Sequence, residues 1–140
     1  MNFISLQENK ADLARFLSEE LLANEPSNME IVVAGGFGNE NEVKSSLGLT
    51  NLIPLRATRE VADTWLVLHA ITMDFDTIVV CARDINVLVV LVAHLSRMNC
   101  NDIWLMAGTA KKRRYTPIGL VYDSWPTNSD KALLAFHALT

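Results

Sequence analysis

Cysteine is scarce in this chain: its 140 residues include two, Cys81 and Cys100. Two lone cysteines build neither a disulfide framework nor a zinc site, so the expected setting is reducing and intracellular, cytoplasmic or nuclear. Long apolar runs are missing as well. The longest, residues 87–93, falls far short of the roughly 18 residues that a transmembrane helix needs, so no membrane span is expected. The opening MNFISLQENK has no basic segment leading into an apolar one, which argues against a secretory signal. An excess of positive charge is also lacking. Twelve Lys and Arg against sixteen Asp and Glu leave a net charge of −4. Any nucleic-acid role must therefore come from a local patch and not from the whole molecule. There is no internal repeat and no low-complexity segment.

Half of the residues are hydrophobic and a fifth are charged, which fits one globular domain, 1–140, able to bury a core. Residues 10–23 place Leu13, Phe16, Leu17 and Leu21 on one helical face, and Asn24-Glu25-Pro26 ends that helix. Residues 30–34 read as a short buried strand closed by Gly35-Gly36. Residues 37–50 read as a polar loop, and 51–55 as a second short strand with Pro54 at its edge. Thr58 caps a predicted helix to about 73, with Val61, Trp65, Leu68 and Thr72 as its stripe. Thr77-Ile78-Val79-Val80-Cys81-Ala82 is rich in β-branched residues and reads as a buried strand. Asp84 caps a predicted helix to about 98, with Val87, Leu88, Leu91 and Leu95 inward. Residues 102–107 form a further strand, and Gly108 to Lys112 a hairpin loop into 113–118. A last helix is expected over 129–139, capped by Ser129. Strands alternating with helices imply an α/β fold: three layers, α/β/α, around a mostly parallel sheet with an antiparallel edge hairpin.

In such sheets ligands bind beyond the carboxyl ends of the strands. Asp84 stands just past the 77–82 strand. Glu60 and Asp63 share a face at the start of the preceding helix, which the topology brings to the same sheet end. Carboxylates gathered there would suit Mg²⁺ or Mn²⁺, hard ions that prefer oxygen ligands, and two such ions can run phosphodiester hydrolysis. All three acids also lie in helix first turns, where the dipole favours negative charge without any metal. Lys111-Lys112-Arg113-Arg114 is the single basic run, with Tyr115 beside it. It suits contact with a DNA or RNA backbone, or equally a solvated hairpin tip that blunts an edge strand. Gly35-Gly36-Phe37-Gly38 lacks the Lys-Ser or Lys-Thr of a phosphate loop and reads as a tight turn. His69, His94 and His137 have no metal-ligand spacing. Trp65 and Trp104 read as core anchors, and Cys81 as a packing thiol.

The blocks TREVADTWLVLHA, FDTIVVCARDINVLVVLVAHL, DIWLMAGTAKKRRYTPI and ALLAFHALT together resemble a PIN-like domain family found in transposon-associated reading frames of animals. That family is distantly similar to the internal region of the XPG and flap-endonuclease nucleases. The resemblance covers roughly residues 10–140 and is densest from 58 onward. The family pattern runs His-Glu-Glu-Ala-Asp-Thr-Arg, then Asp-Thr-Asp-Val-Leu-Val, then Gly-Thr-x-Lys-x-Arg-Arg-Tyr, then Phe-His-Ala-Leu-Thr-Gly-Cys-Asp. Its acids imply a divalent-metal site with Asp63 and Asp84 as catalytic positions and Glu60 and Asn86 beside them. The match is incomplete. Glu60, Asp63 and Asp84 stand at acidic positions of the pattern. Val61 stands where the second Glu is expected, Asn86 where the second Asp is expected, Arg59 for the His and Trp65 for the Arg. Thr140 is reached before the final Gly-Cys-Asp, so the domain is expected to be incomplete at this end.

Val61 offers no oxygen ligand, and Asn86 offers a carbonyl without charge. Glu60 is about 100° around a helix from position 61 and cannot replace it. The expectation is a degenerate nuclease-type domain of mobile-element origin, inactive by itself, with Mg²⁺ or Mn²⁺ bound weakly. Two other readings stand beside it. One is a residual metal-dependent nuclease, or a DNA- or RNA-binding domain. The other is a protein-interaction module, pairing with a second copy or a partner chain over an apolar surface at the carboxyl-terminal end.

Overall fold

A computed structural model describes residues 6–39, 41–56 and 62–126. Expectations placed on Thr58, Arg59, Glu60 and Val61, on His137 and on the helix over 129–139 lie outside the described residues. The chain forms two compact units, Met1–Thr58 and Arg59–Thr140.

In the first unit, α1 spans Gln7–Ala23 and ends at Asn24, whose backbone N–H and side-chain amide both donate to the Glu20 carbonyl. Its predicted apolar face turns outward: Phe16, Leu17 and Leu21 are each about half exposed. The buried residue is Ser18, whose Oγ donates to the Gly35 carbonyl at 3.4 Å. A Cβ on Gly36 would stand 2.4 Å from that Oγ, and Gly36 has φ +78°. Close backbone approach, not the apolar stripe, thus sets how α1 meets its neighbour.

That neighbour is a two-stranded antiparallel sheet. Strand β1, Val32–Ala34, pairs with β2, Val43–Ser45, in the register Val33↔Lys44. Strand β2 corrects the expectation of a loop over 37–50. Three residues are too few to show a period-2 pattern, so pairing alone defines this strand. Residues 53–55 correct the second expected strand, since they form a 3-10 turn with Pro54 near its start. Pro54 has no N–H to give a ladder and its φ suits a helical turn, while Asn51 Oδ1 accepts the Ile53 N–H at 3.2 Å. Lys44 lies 4.2 Å above the Phe37 ring and 3.3 Å from Glu42.

Glu30 ties the segment after β2. Its carboxylate accepts hydrogen bonds from the Ser45 hydroxyl, the Thr50 hydroxyl at 2.6 Å, and the backbone N–H groups of Leu49 and Thr50 at 2.9 and 3.0 Å. These donors favour the ionised form and pull its pKa from 4.5 down to about 2, with the Ser45 hydroxyl contributing most. A depressed pKa stabilises the fold at pH values above 4.5, and that contribution is lost as pH falls toward about 2. The protection of the Leu49 and Thr50 amides, relative to the exchange of free amides at the same pH, is therefore expected to fall through this window in the parent. In Glu30→Gln the same amides are expected to exchange quickly already at pH 6.

The second unit holds a three-stranded sheet. Strand β3, Thr77–Cys81, runs parallel to β4, Asp102–Thr109, with Val80 opposite Leu105. Strand β5, Lys112–Pro117, returns antiparallel to β4, with Met106 opposite Tyr115. Parallel neighbours need a crossover, supplied here by α3, Ile85–His94, and a 3-10 turn, Leu95–Arg97. Helix α2, Ala62–Thr72, precedes β3, and α4, Ile118–Asp123, follows β5. This is a mixed α/β arrangement, with one parallel pair and not a mostly parallel sheet. The antiparallel hairpin is as expected, though its loop tightens to Ala110 and Lys111.

One face of the sheet carries Ile78, Val80, Ile103 and Leu105, which pack against Val67 and Ala70 of α2, the length of α3, and Ile118 of α4. Leu91 and Ile118 are fully buried and Val87 nearly so. On α2 the core-facing residues are Val67 and Ala70, with Leu66 and Ile71 beside them, so the expected stripe through Trp65 and Leu68 is displaced around the helix. Helix α4 went unforeseen because Gly119 and the β-branched Ile118 and Val121 are weak helix formers. Burying Ile118 overrides that propensity. Strand β3 is not buried on both sides: Val79 is 49% exposed and the Cys81 thiol is exposed.

Candidate functional site

The carboxyl ends of β3 and β4 open onto a cleft of about 250 Å³, lined by Cys81, Ala82, Arg83, Met106, Ala107, Gly108, Thr109, Ala110 and Arg113. Alternation along the strands decides which side chains reach it. Paired residues share a face, so Cys81, Met106 and Tyr115 form one row and Gly108 and Arg113 the next. Gly108, at φ +103° next to Arg113, leaves room where any Cβ would meet the Lys112 carbonyl. Arg83 follows β3 as the chain turns toward α3. Among the described residues the ion pairs are Arg15–Asp12 and Lys44–Glu42, so no described carboxylate pairs with Arg83 or Arg113. The cleft is a cationic, partly apolar recess at the end of the sheet where α/β folds bind ligands.

The residues of the expected carboxylate site are described in part. Asp84 is the N-cap of α3: its Oδ1 accepts the Asn86 N–H at 2.9 Å, satisfying a donor the helix leaves free. It is exposed and does not line the cleft. Asp63 stands in the first turn of α2 and is half-buried. Asn86 takes part through its backbone N–H. Glu60 lies outside the described residues. Among the described residues no group of three or more His, Cys, Asp or Glu side chains comes together as a metal site. Asp84→Ala is expected to cost about 0.5–2 kcal/mol of stability, while Asp84→Asn, a comparable cap, costs far less. Thermal melts of the two variants measure this difference.

The basic run does not form one patch. Lys111 sits at the turn, and Lys112, Arg113 and Arg114 alternate along β5, opposite Thr109, Gly108 and Ala107. Arg113 therefore shares the face of Tyr115 and the cleft, while Lys112 and Arg114 share the opposite face. Trp104 corrects the expectation of a core anchor: it is half-buried on the non-core face, opposite Val79. Trp65 also stands outside the core cluster. Cys81 likewise is an exposed thiol on that face and not a packing thiol.

At the other sheet end a polar cleft of about 390 Å³ is lined by Asp74, Asp76, Asn99, Cys100, Asn101 and their neighbours. Its carboxylates are held by amides, Asn99 to Asp74 at 2.7 Å and Asn101 to Asp76 at 3.1 Å, which locks the two strand entries together. Burial and then the charge of Asp102 push the Cys100 thiol up, making it a poor nucleophile at neutral pH. Burial lowers the pKa of His69, and burial followed by the Arg97 charge lowers that of His94, so both are neutral imidazoles at pH 7.

Reading the sequence alone missed Arg83 and the non-core face. The signal for that face was present in β4, where Trp104 and Met106 are as apolar as Ile103 and Leu105. Both parities look buried, and the sequence does not say which one the helices cover. No helix among the described residues is long and apolar enough to cross a membrane. Comparison with protein-family models, curated proteins and solved structures gave no match.

Proposed function

We propose that this chain is a degenerate PIN-like domain of mobile-element origin that binds nucleic-acid phosphate without cleaving it, in the cytoplasm or nucleus. The observation that carries this reading is the cleft at the carboxyl ends of β3 and β4, lined by Arg83 and Arg113 and, among the described residues, by no acid. Guanidinium groups without carboxylate partners attract phosphate oxygens and hold them in a bidentate fork. Val61 and Asn86, standing where the family pattern has acids, support the absence of cleavage. The acidic whole-molecule charge makes such binding local and sensitive to salt.

The test is fluorescence anisotropy of a labelled oligonucleotide over a salt series. The parent is expected to bind at low salt, and the double variant R83E/R113E to lose at least about tenfold, with a shallower salt slope. Equal affinity in the double variant overturns the proposal.

A second reading, a residual nuclease, draws on Asp84 standing beyond the end of β3 with Asp63 and Asn86 as helpers. A melt against rising Mn²⁺ separates the two. A resident ion at 100 times its Kd stabilises by about 2.7 kcal/mol. The expected result is no shift in the parent or in Asp84→Asn. A shift present in the parent and lost in the variant, together with strand cleavage, selects the nuclease.

A further inference from the structure

Beyond the cleft, the non-core face of the second unit's sheet carries two rows of large side chains. Val79, Trp104 and Pro117 form one row, and Cys81, Met106 and Tyr115 the next. None of them belongs to the core packed under α2, α3 and α4. Tyr115 is 51% exposed and Val79 49%. Tyr115 and Trp104 are diagonal neighbours on adjacent strands, their Cα atoms roughly 7–8 Å apart by sheet geometry, within reach of aromatic side chains. Arg113, two residues before Tyr115 on the same face, leads directly into the cationic cleft, with Arg83 on its far side.

The charges narrow what can occupy this face. A second copy of this chain, at net −4, would have to bring a matching pair of acids to satisfy Arg83 and Arg113. An apolar helix would cover the rings and leave both guanidinium groups desolvated without partners, which is costly. A polyanion that carries flat aromatic groups satisfies both halves of the surface. A duplex does not, because its bases are stacked inside and offer the rings no face. Resting on the phosphate-binding reading above, we infer that the sheet face takes the unstacked bases of a single-stranded nucleic acid. One base stacks on Tyr115 and its neighbour lies against Trp104 and Val79, while the backbone passes Arg113 and Arg83. Stacking on an exposed ring is tolerant of sequence, since every base has a π-face.

The test uses the full chain with Cys100→Ser, so that Cys81 is the single thiol. The probes are labelled oligo-dT, oligo-U, an abasic strand of the same length and a duplex of that length. The expected result is tighter binding of the single strands than of the duplex or the abasic strand. Tyr115→Ala is expected to weaken single-strand binding roughly 5- to 150-fold, and Tyr115→Phe to restore it. Bound single strand is expected to slow alkylation of Cys81, and the preference between oligo-dT and oligo-U reads DNA against RNA. Four outcomes overturn the inference. If all four probes bind alike and Tyr115→Ala changes nothing, the phosphate reading stands and the base-stacking face falls. If no probe binds at low salt, both fall. If Cys81 resists alkylation in the free protein, the chain itself covers the face. If Tyr115→Ala dissolves a dimer seen by light scattering and no strand binds, the occupant is a second copy.

Discussion

Leu91→Ala is expected to lower the unfolding free energy of the second unit by about 2–5 kcal/mol. Leu91 is fully buried in the middle of α3, in one cluster with residues of α2 and of the core face of the sheet. Truncating it removes the transfer free energy of its side chain and leaves a cavity that its rigid neighbours fill poorly. Val80, Val87, Val90 and Ile103 in the same cluster are β-branched and cannot swing into the gap. All three tryptophans, Trp65, Trp104 and Trp125, lie in this unit, so a urea titration followed by tryptophan emission reads it selectively. The control is Leu120→Ala on α4, where the side chain is 69% exposed and the change should stay within about 0.5 kcal/mol. Equal effects at the two positions would mean that α3 does not pack as described.

Gly108→Val is expected to be the most damaging single change near the cleft. Gly108 has φ +103°, a conformation that costs a side-chain-bearing residue about 1–3 kcal/mol. The new Cβ would also meet the Lys112 carbonyl oxygen at 2.1 Å, and that atom is backbone of the paired strand, so it cannot rotate away. The β4–β5 pairing must open at this end, which moves Arg113 and Tyr115 out of register with Gly108 and Met106. The expected signature is a destabilised hairpin with lost strand signal in circular dichroism, together with loss of oligonucleotide binding. Native stability with native binding in this variant would contradict the turn geometry at Ala110 and Lys111.

Several elements were legible because their signals are local. Asp84 before an apolar run predicts a capped helix, and the carboxylate does accept the Asn86 N–H. The residues from Thr77 to Ala82, with four β-branched among them, predict a strand, and Thr77–Cys81 form one. Gly108 before a basic run predicts a hairpin turn, and the strands pair through it. Elsewhere the local signal was absent or pointed away. Strand β2 is three residues long and exists by pairing with β1. The 51–55 stretch reads as apolar and extended, yet Pro54 and the Asn51 side chain favour a helical turn. Helix α4 carries Gly119 and forms because Ile118 has a buried place to go. The α1 stripe is periodic but exposed, since Ser18 and Gly36 set the contact.

The candidate site divides along the same line. The sequence by itself determined that carboxylates, a basic run and aromatic residues are present, and that Val61 and Asn86 carry no charge. It also determined the strand–helix–strand order that makes β3 and β4 parallel. Only the tertiary structure decided that the helices cover the face of Val80 and Leu105, leaving the face of Val79, Trp104 and Tyr115 accessible. It also split the run Lys111 to Arg114 between two faces and paired Arg113 with Arg83, which stands thirty positions earlier in the chain. The physical reason is the period of the strand. Alternation assigns side chains to two faces, but both faces of β3 and β4 are apolar, so which one is buried depends on where α2, α3 and α4 pack.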